Sequence, residues 1–210
     1  MDLHRICSQL RDRFLPMGPV DPVEQQNIRY LFLEIAWWGL ANSAAMNFVS
    51  VYAVRLGASN FWVGVLSAGP ALLSILWLFP AGRLVERQRR PMPLVNASLL
   101  VSRLFLLLMA LAPWLAPAHA GEALTVLVVL QAVPLGLATV AWQATMPDMV
   151  SPANLGQVVS RRNAIAGLAT TLGTLLSVPI LGALTVPLNY QVVFGLGFAA
   201  ALLSCFYVSR

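Results

Sequence analysis

The sequence contains no lysine. That removes the Gly-x-x-x-x-Gly-Lys phosphate loop, and with it a nucleotide-hydrolysing active site of that kind. Charge is scarce altogether: 10% of the 210 residues are ionisable acids or bases, against about 25% in soluble domains. Histidine and cysteine are equally sparse. His4, His119, Cys7 and Cys205 are scattered along the chain, so they make no metal-ligand spacing, and neither metal nor cofactor is implied. The two cysteines stand near opposite ends and fall on the reducing side in the orientation argued below, which speaks against a disulfide. An intramembrane serine protease needs Ser and His together, but both histidines lie outside the apolar runs. The thirteen cations are all Arg and sit between apolar runs. There is no basic stripe with interleaved aromatics, so nucleic acid is excluded as a partner. An enzyme is not the expected class.

What the chain has in abundance is apolar sequence, with 59% hydrophobic residues and a mean hydropathy of +0.76. Each membrane span needs about 20 such residues. Residues 1–28 lack an apolar core followed by a small-residue cleavage site, so no signal peptide is expected. Leu3, Ile6, Leu10 and Phe14 recur there at helical spacing among Arg5, Arg11 and Arg13. This predicts a cytoplasmic amphipathic helix on the membrane surface, followed by a Pro- and Gly-rich linker. From 29 to 210 the pattern predicts an all-α integral membrane domain of six transmembrane helices, at about 29–53, 61–81, 94–113, 123–146, 163–185 and 191–208. With both termini inside, the inner segments hold eleven of the thirteen arginines; Arg55 alone falls in an outer loop and Arg103 within a span. Basic residues gather on the cytoplasmic side of short loops, which orients the chain in a plasma (inner) membrane.

The sharpest local signal is the turn Gly82–Pro93, GRLVERQRRPMP, with Arg83, Arg87, Arg89 and Arg90 around Glu86. One reading is an ordinary positive-inside anchor. The spacing of Gly82, Glu86-Arg87 and Arg90 also resembles the loop between the second and third helices of the major facilitator superfamily, Gly-x-x-x-Asp-Arg-x-Gly-Arg-Arg. Here Glu86 stands for the Asp and Arg89 for the second Gly. Leu56-Gly57-Ala58-Ser59 before Gly64 is similar to the family's outer turn, and Pro147–Pro152 to its inner loop between helices four and five. Pro179-x-x-Gly182 is similar to part of a fifth-helix motif in the family's drug:proton antiporters, although Val178 replaces the usual preceding Gly. The Arg that many members carry in the fourth helix has no counterpart, and Gln131 is the strongly polar residue at that depth. The resemblance implies the N-terminal six-helix half of a twelve-helix transporter, with the substrate site between two halves near the midplane. It also implies that the arginine turn, with Gly82, Glu86, Arg87 and Arg90, contacts the partner half when the inner gate closes.

Ionisable groups inside spans are costly and call for a reason. Glu34 lies roughly 7 Å from the inner end of the first span and Arg103 roughly 15 Å deep in the third, at about 1.5 Å per residue. A central Arg costs about 2.5–3.5 kcal/mol on insertion scales unless it pairs or snorkels. Two long side chains span the depth gap, which predicts a structural Glu34–Arg103 ion pair. The other reading has Glu34 in a wet cavity as a proton-coupling carboxylate. In the resemblance the first and fourth helices line the cavity, which favours Glu34 over Arg103 in that role.

Tyr30, Glu34, Trp37, Trp38, Ala41 and Ala45 share one helical face, with Asn42 at its border. Such a stripe could hold a lipophilic or cationic, drug-like substrate by stacking, or it could be helix packing. Gly39, Ser43, Met46 and Ser50 form a small-residue face suited to helix contact. Trp114, Trp142 and Tyr190 sit near span ends, as an aromatic belt would. The function expected is secondary active transport by alternating access, a permease of unknown small-molecule substrate. Glu34, Trp38, Asn42, Gln131 and Arg103 are the translocation candidates, and a second six-helix half and membrane lipid are the partners. The alternatives are a scaffold or regulatory protein derived from a transporter half, or the membrane subunit of an ATP-driven transporter. The short inner loops argue against the last.

Overall fold

The computed structural model describes residues 20–89 and 91–209, without the side chains of 44–46. The expected amphipathic segment around Leu3–Phe14, and Arg90, lie outside the described residues. Every element described is helical: α1 Pro22–Asn47, α2 Val49–Arg55, α3 Asn60–Glu86, α4 Met92–Leu115, α5 Ala120–Met149, α6 Pro152–Ala183 and α7 Leu188–Val208, with a 3₁₀ turn at Pro117–His119. Five of them, α3 to α7, are long and apolar enough to cross a membrane. α1 has the length but carries Arg29 and Glu34 among several Asn and Ser residues, and it is not among the five.

Proline starts helices here and does not stop them. Pro152 opens α6, where a missing N–H costs nothing because first-turn donors have no helical partner. Pro70, Pro80, Pro113, Pro134, Pro147 and Pro179 lie inside helices. Pro113 and Pro147, expected at span ends, are carried through, so α4 reaches Leu115 and α5 reaches Met149. Apolar helices tolerate such prolines because neighbouring groups re-satisfy the freed carbonyls. α6 begins eleven residues before the span expected at 163. Its start is the Ser151-Pro152 pair, so Arg161 and Arg162 sit on the helix and not in a loop. The first expected span is two helices, broken at Phe48. After α2 the chain reverses through Gly57 at φ +87°, a conformation that a Cβ disfavours.

α1 packs along α6 and α7, α5 packs along α3 and α4, and α4 meets α7. These pairings map onto themselves when α1, α3 and α4 exchange with α5, α6 and α7. Close approach along the α1–α6 seam depends on small residues. A Cβ on Gly39 would stand 2.7 Å from the Ala169 Cβ and 2.8 Å from the Ala166 carbonyl oxygen. One on Gly173 would meet Ser43 Oγ at 2.5 Å. The expected role of Gly39 and Ser43 in helix contact is what the seam uses, and Thr170 Oγ1 donates across it to the Gly39 carbonyl at 3.1 Å.

The buried apolar residues form one cluster toward the Gly57 end, around Tyr52, Leu106, Met109, Leu124 and Phe194. Two smaller clusters lie toward the Arg83 end, around Leu31 and Val158 and around Val85 and Val95. Tyr190, expected in an aromatic belt, is instead buried in the first cluster, stacked on Tyr52 at 4.6 Å. Trp114 is 70% exposed, as a belt residue would be.

Candidate functional site

Between the clusters the core changes character. Glu34, three residues past Leu31 on α1, is 3% exposed. Arg103, between Val95 and Leu106 on α4, is 1% exposed. The expected Glu34–Arg103 ion pair is not what forms. Arg162 Nη2 of α6 donates to Glu34 Oε2 at 2.8 Å, and Ser204 Oγ of α7 donates to Oε1 at 3.0 Å. The reason is the early start of α6, which carries Arg162 ten residues into a helix packed directly on α1. One carboxylate thus ties three helices together.

Arg103 takes a different neighbour. Its guanidinium carbon lies 3.4 Å from the centre of the Trp38 ring, and the Cys205 thiol is beside it. Arg162 lies 5.1 Å from the ring centre of Trp142, which lines this cavity instead of forming the expected aromatic belt. Glu34, Trp38, Arg103, Thr139, Trp142 and Arg162 enclose a cavity of about 180 Å³. Through Trp38, Leu135 and Thr139 it shares walls with a larger cavity of about 630 Å³ between α1, α3 and α5. Asn42, Trp77, Gln131 and Gln143 line the larger one. Gln131 is anchored by donating from Nε2 to the Ser102 carbonyl at 3.0 Å. Each of the five translocation candidates therefore borders one or both of two cavities that share walls. Trp37 lines neither.

The other candidates stand apart from these cavities. Gly82 and Glu86 end α3, and Arg83, Glu86, Arg87 and Arg89 are all exposed. Pro179 and Gly182 lie near the far end of α6, also exposed, with open space where a Gly182 Cβ would be.

A second polar cluster joins the N-terminal ends of α1 and α6. Glu24 Oε1 accepts from the Ser151 N–H at 2.9 Å, Ser151 Oγ at 2.8 Å and Asn154 Nδ2 at 3.3 Å. The Ser151 backbone and hydroxyl donors hold the Glu24 carboxyl below the usual carboxylate range, as donors to a charged form do. The N-terminus of α6 favours the same charge.

Arg162, Ser204 and Trp142 were missed by the sequence reading. For Arg162 a signal existed: Ser151-Pro152 is a helix start with Pro at the first position, and counting from there puts Arg162 at the depth of the site. Ser204 offered none, because a lone Ser in an apolar helix carries no pattern.

The model of the Major Facilitator Superfamily matches residues 32–210. No curated protein and no solved structure matches the chain.

Proposed function

The chain belongs to the Major Facilitator Superfamily and is a multi-pass membrane protein, and from that premise we propose that it is one six-helix half of a secondary active transporter of small molecules. In this reading α1 and α2 together make a sixth crossing. The lower hydropathy of α1 follows from its place: α1 packs between α6 and α7 and borders the cavities, so it needs less apolar surface than a helix facing lipid. Both ends of the domain are then on the cytoplasmic side, set by the arginine-rich segments.

The observation that carries the reading is the pair of adjoining cavities with a buried carboxylate–guanidinium pair on the wall of the smaller. Intramembrane charges of this kind mark substrate or ion pathways. Glu34 is the coupling candidate, since protonation would remove the charge that pairs with Arg162. α3 and α6 present large apolar side chains outward, among them Leu72, Ile75, Leu76 and Phe79 on one and Leu168, Leu172 and Leu175 on the other. A second half seats against the domain between these flanks, with the exposed arginine turn meeting its helix ends.

Native mass spectrometry of the protein extracted gently from its membrane tests this. A homodimer, or a complex with a second six-helix unit, is expected. A lone six-helix monomer would remove the half-transporter reading.

A further inference from the structure

The polar atoms around the 180 Å³ cavity are unbalanced in one direction. Among the described residues, four buried nitrogens on its lining have no acceptor: Arg103 Nε and Nη1, Arg162 Nε and Trp142 Nε1. All four are donors. None of the described residues lining this cavity has a buried acceptor left without a partner. The one carboxylate, Glu34, is occupied by Arg162 and Ser204. Thr139 gives its hydroxyl proton to the Leu135 carbonyl of its own helix. Charge is unbalanced the same way, with two guanidinium groups against one carboxylate, and among the described residues no other acid lines either cavity.

Leaving buried donors without acceptors is expensive, and more so when the group is charged. Stacking on Trp38 satisfies the face of the Arg103 guanidinium but offers its N–H groups nothing. It also occupies the aromatic face that a cationic substrate would need, so the cationic, drug-like reading of the Trp38 stripe does not fit this site. We infer that the cavity bounded by Arg103, Arg162 and Trp142 binds the carboxylate head of a small organic acid, and that the transported substrate is an anion. Guanidinium groups are suited to carboxylates by their planar array of donors. The walls beyond those donors are Ile35, Leu99, Leu135, Ala138 and the two indoles, which suit a flat apolar body. An apolar cavity of about 150 Å³ accommodates one benzene ring, so an aromatic monocarboxylate is the right scale. The inference takes the transport reading as its setting and names the substrate class for that site.

The test is equilibrium dialysis of radiolabelled benzoate against the intact protein in lipid nanodiscs, with empty nanodiscs as the blank. Benzyl alcohol and benzyltrimethylammonium serve as the neutral and cationic counterparts. Saturable binding of benzoate alone is expected. Arg103→Gln should weaken it at least tenfold and Arg103→Lys less. Glu34→Gln should tighten it, because Arg162 is released and the site gains positive charge; a cation site would respond in the opposite sense. The comparison of the three compounds on the unaltered protein decides the matter even if a variant does not fold. Absence of saturable benzoate binding, tighter binding of the ammonium, or weaker benzoate binding in folded Glu34→Gln would each overturn the inference. Counterflow in proteoliposomes separates it from the transport reading. Benzoate bound without flux keeps the anion site and removes transport, whereas flux of the ammonium alone keeps transport and removes the anion site.

Discussion

Glu34 holds its place through partners 128 and 170 residues away in the chain, Arg162 and Ser204. The Arg162 side chain is 20% exposed and that of Glu34 4%, so the two ends of the pair are not equivalent. Removing the guanidinium strands the more buried charge. Arg162→Gln should therefore destabilise the domain by about 3 kcal/mol, the lower end of what breaking a buried pair costs. Glu34→Gln should cost less, since Arg162 retains some access to water and the face of Trp142. The double variant should be more stable than Arg162→Gln alone, because no unpaired carboxylate remains. A double-mutant cycle on thermal melts in detergent measures the coupling. Strict additivity would show that the 2.8 Å contact contributes nothing to stability.

The helix glycines are of two kinds. Along α1 and α6 the backbones approach through Gly39 and Gly173, with no room for a methyl group; elsewhere on α6, Gly167 faces open space. The two kinds of glycine should respond oppositely to alanine. Gly39→Ala pushes against a backbone carbonyl and should destabilise by about 1–3 kcal/mol, as overpacking does. Gly167→Ala meets nothing and should be neutral or stabilising by up to about 1 kcal/mol, the helix-propensity difference. Melting temperatures of the two variants, measured side by side, check the contrast. Loss of stability at both sites would mean that the face of α6 around Gly167 is covered by a partner and not open. Gly121 at the start of α5 resembles Gly39, with the Ala58 nitrogen 2.6 Å from where its Cβ would be. That contact ties α5 to the turn after α2.

For the whole molecule, the exchange of α1, α3 and α4 with α5, α6 and α7 leaves α1 and α5 central and α3 and α6 at the flanks. The central pair borders both cavities. The arginine turn after α3 and the Glu24–Ser151 cluster lie at one end, and Gly57 and the 3₁₀ turn lie at the other. If the first end is cytoplasmic, Arg89→Cys should react with a membrane-impermeant maleimide only after permeabilisation of intact cells, and Ala118→Cys without it. The background is a variant with Cys7 and Cys205 replaced. Reversed labelling would invert the topology without altering the fold.

Composition and the spacing of apolar runs were enough for the class and the approximate places of the helices, and the motif resemblance of the Gly82–Pro93 turn pointed to the family, because each depends on residues close together in the chain. The turn Gly82–Pro93 and the polar residues Glu34, Asn42, Arg103 and Gln131 were legible for the same reason: in an apolar context a charge or amide stands out by its cost. Partners were not legible. Whether Glu34 would meet Arg103 or Arg162 depended on where α6 begins and which helix lies against α1, and depth along a span says nothing about direction around it. Trp142 and Tyr190 show the same limit. An aromatic near a span end satisfies lipid headgroups, a stacked core or a guanidinium equally well by sequence, and only the packing of neighbouring helices selects among them. The excess of unmatched donors around Arg103 is likewise a property of the assembled cavity, since no single segment contains both the donors and the acceptors that would have balanced them.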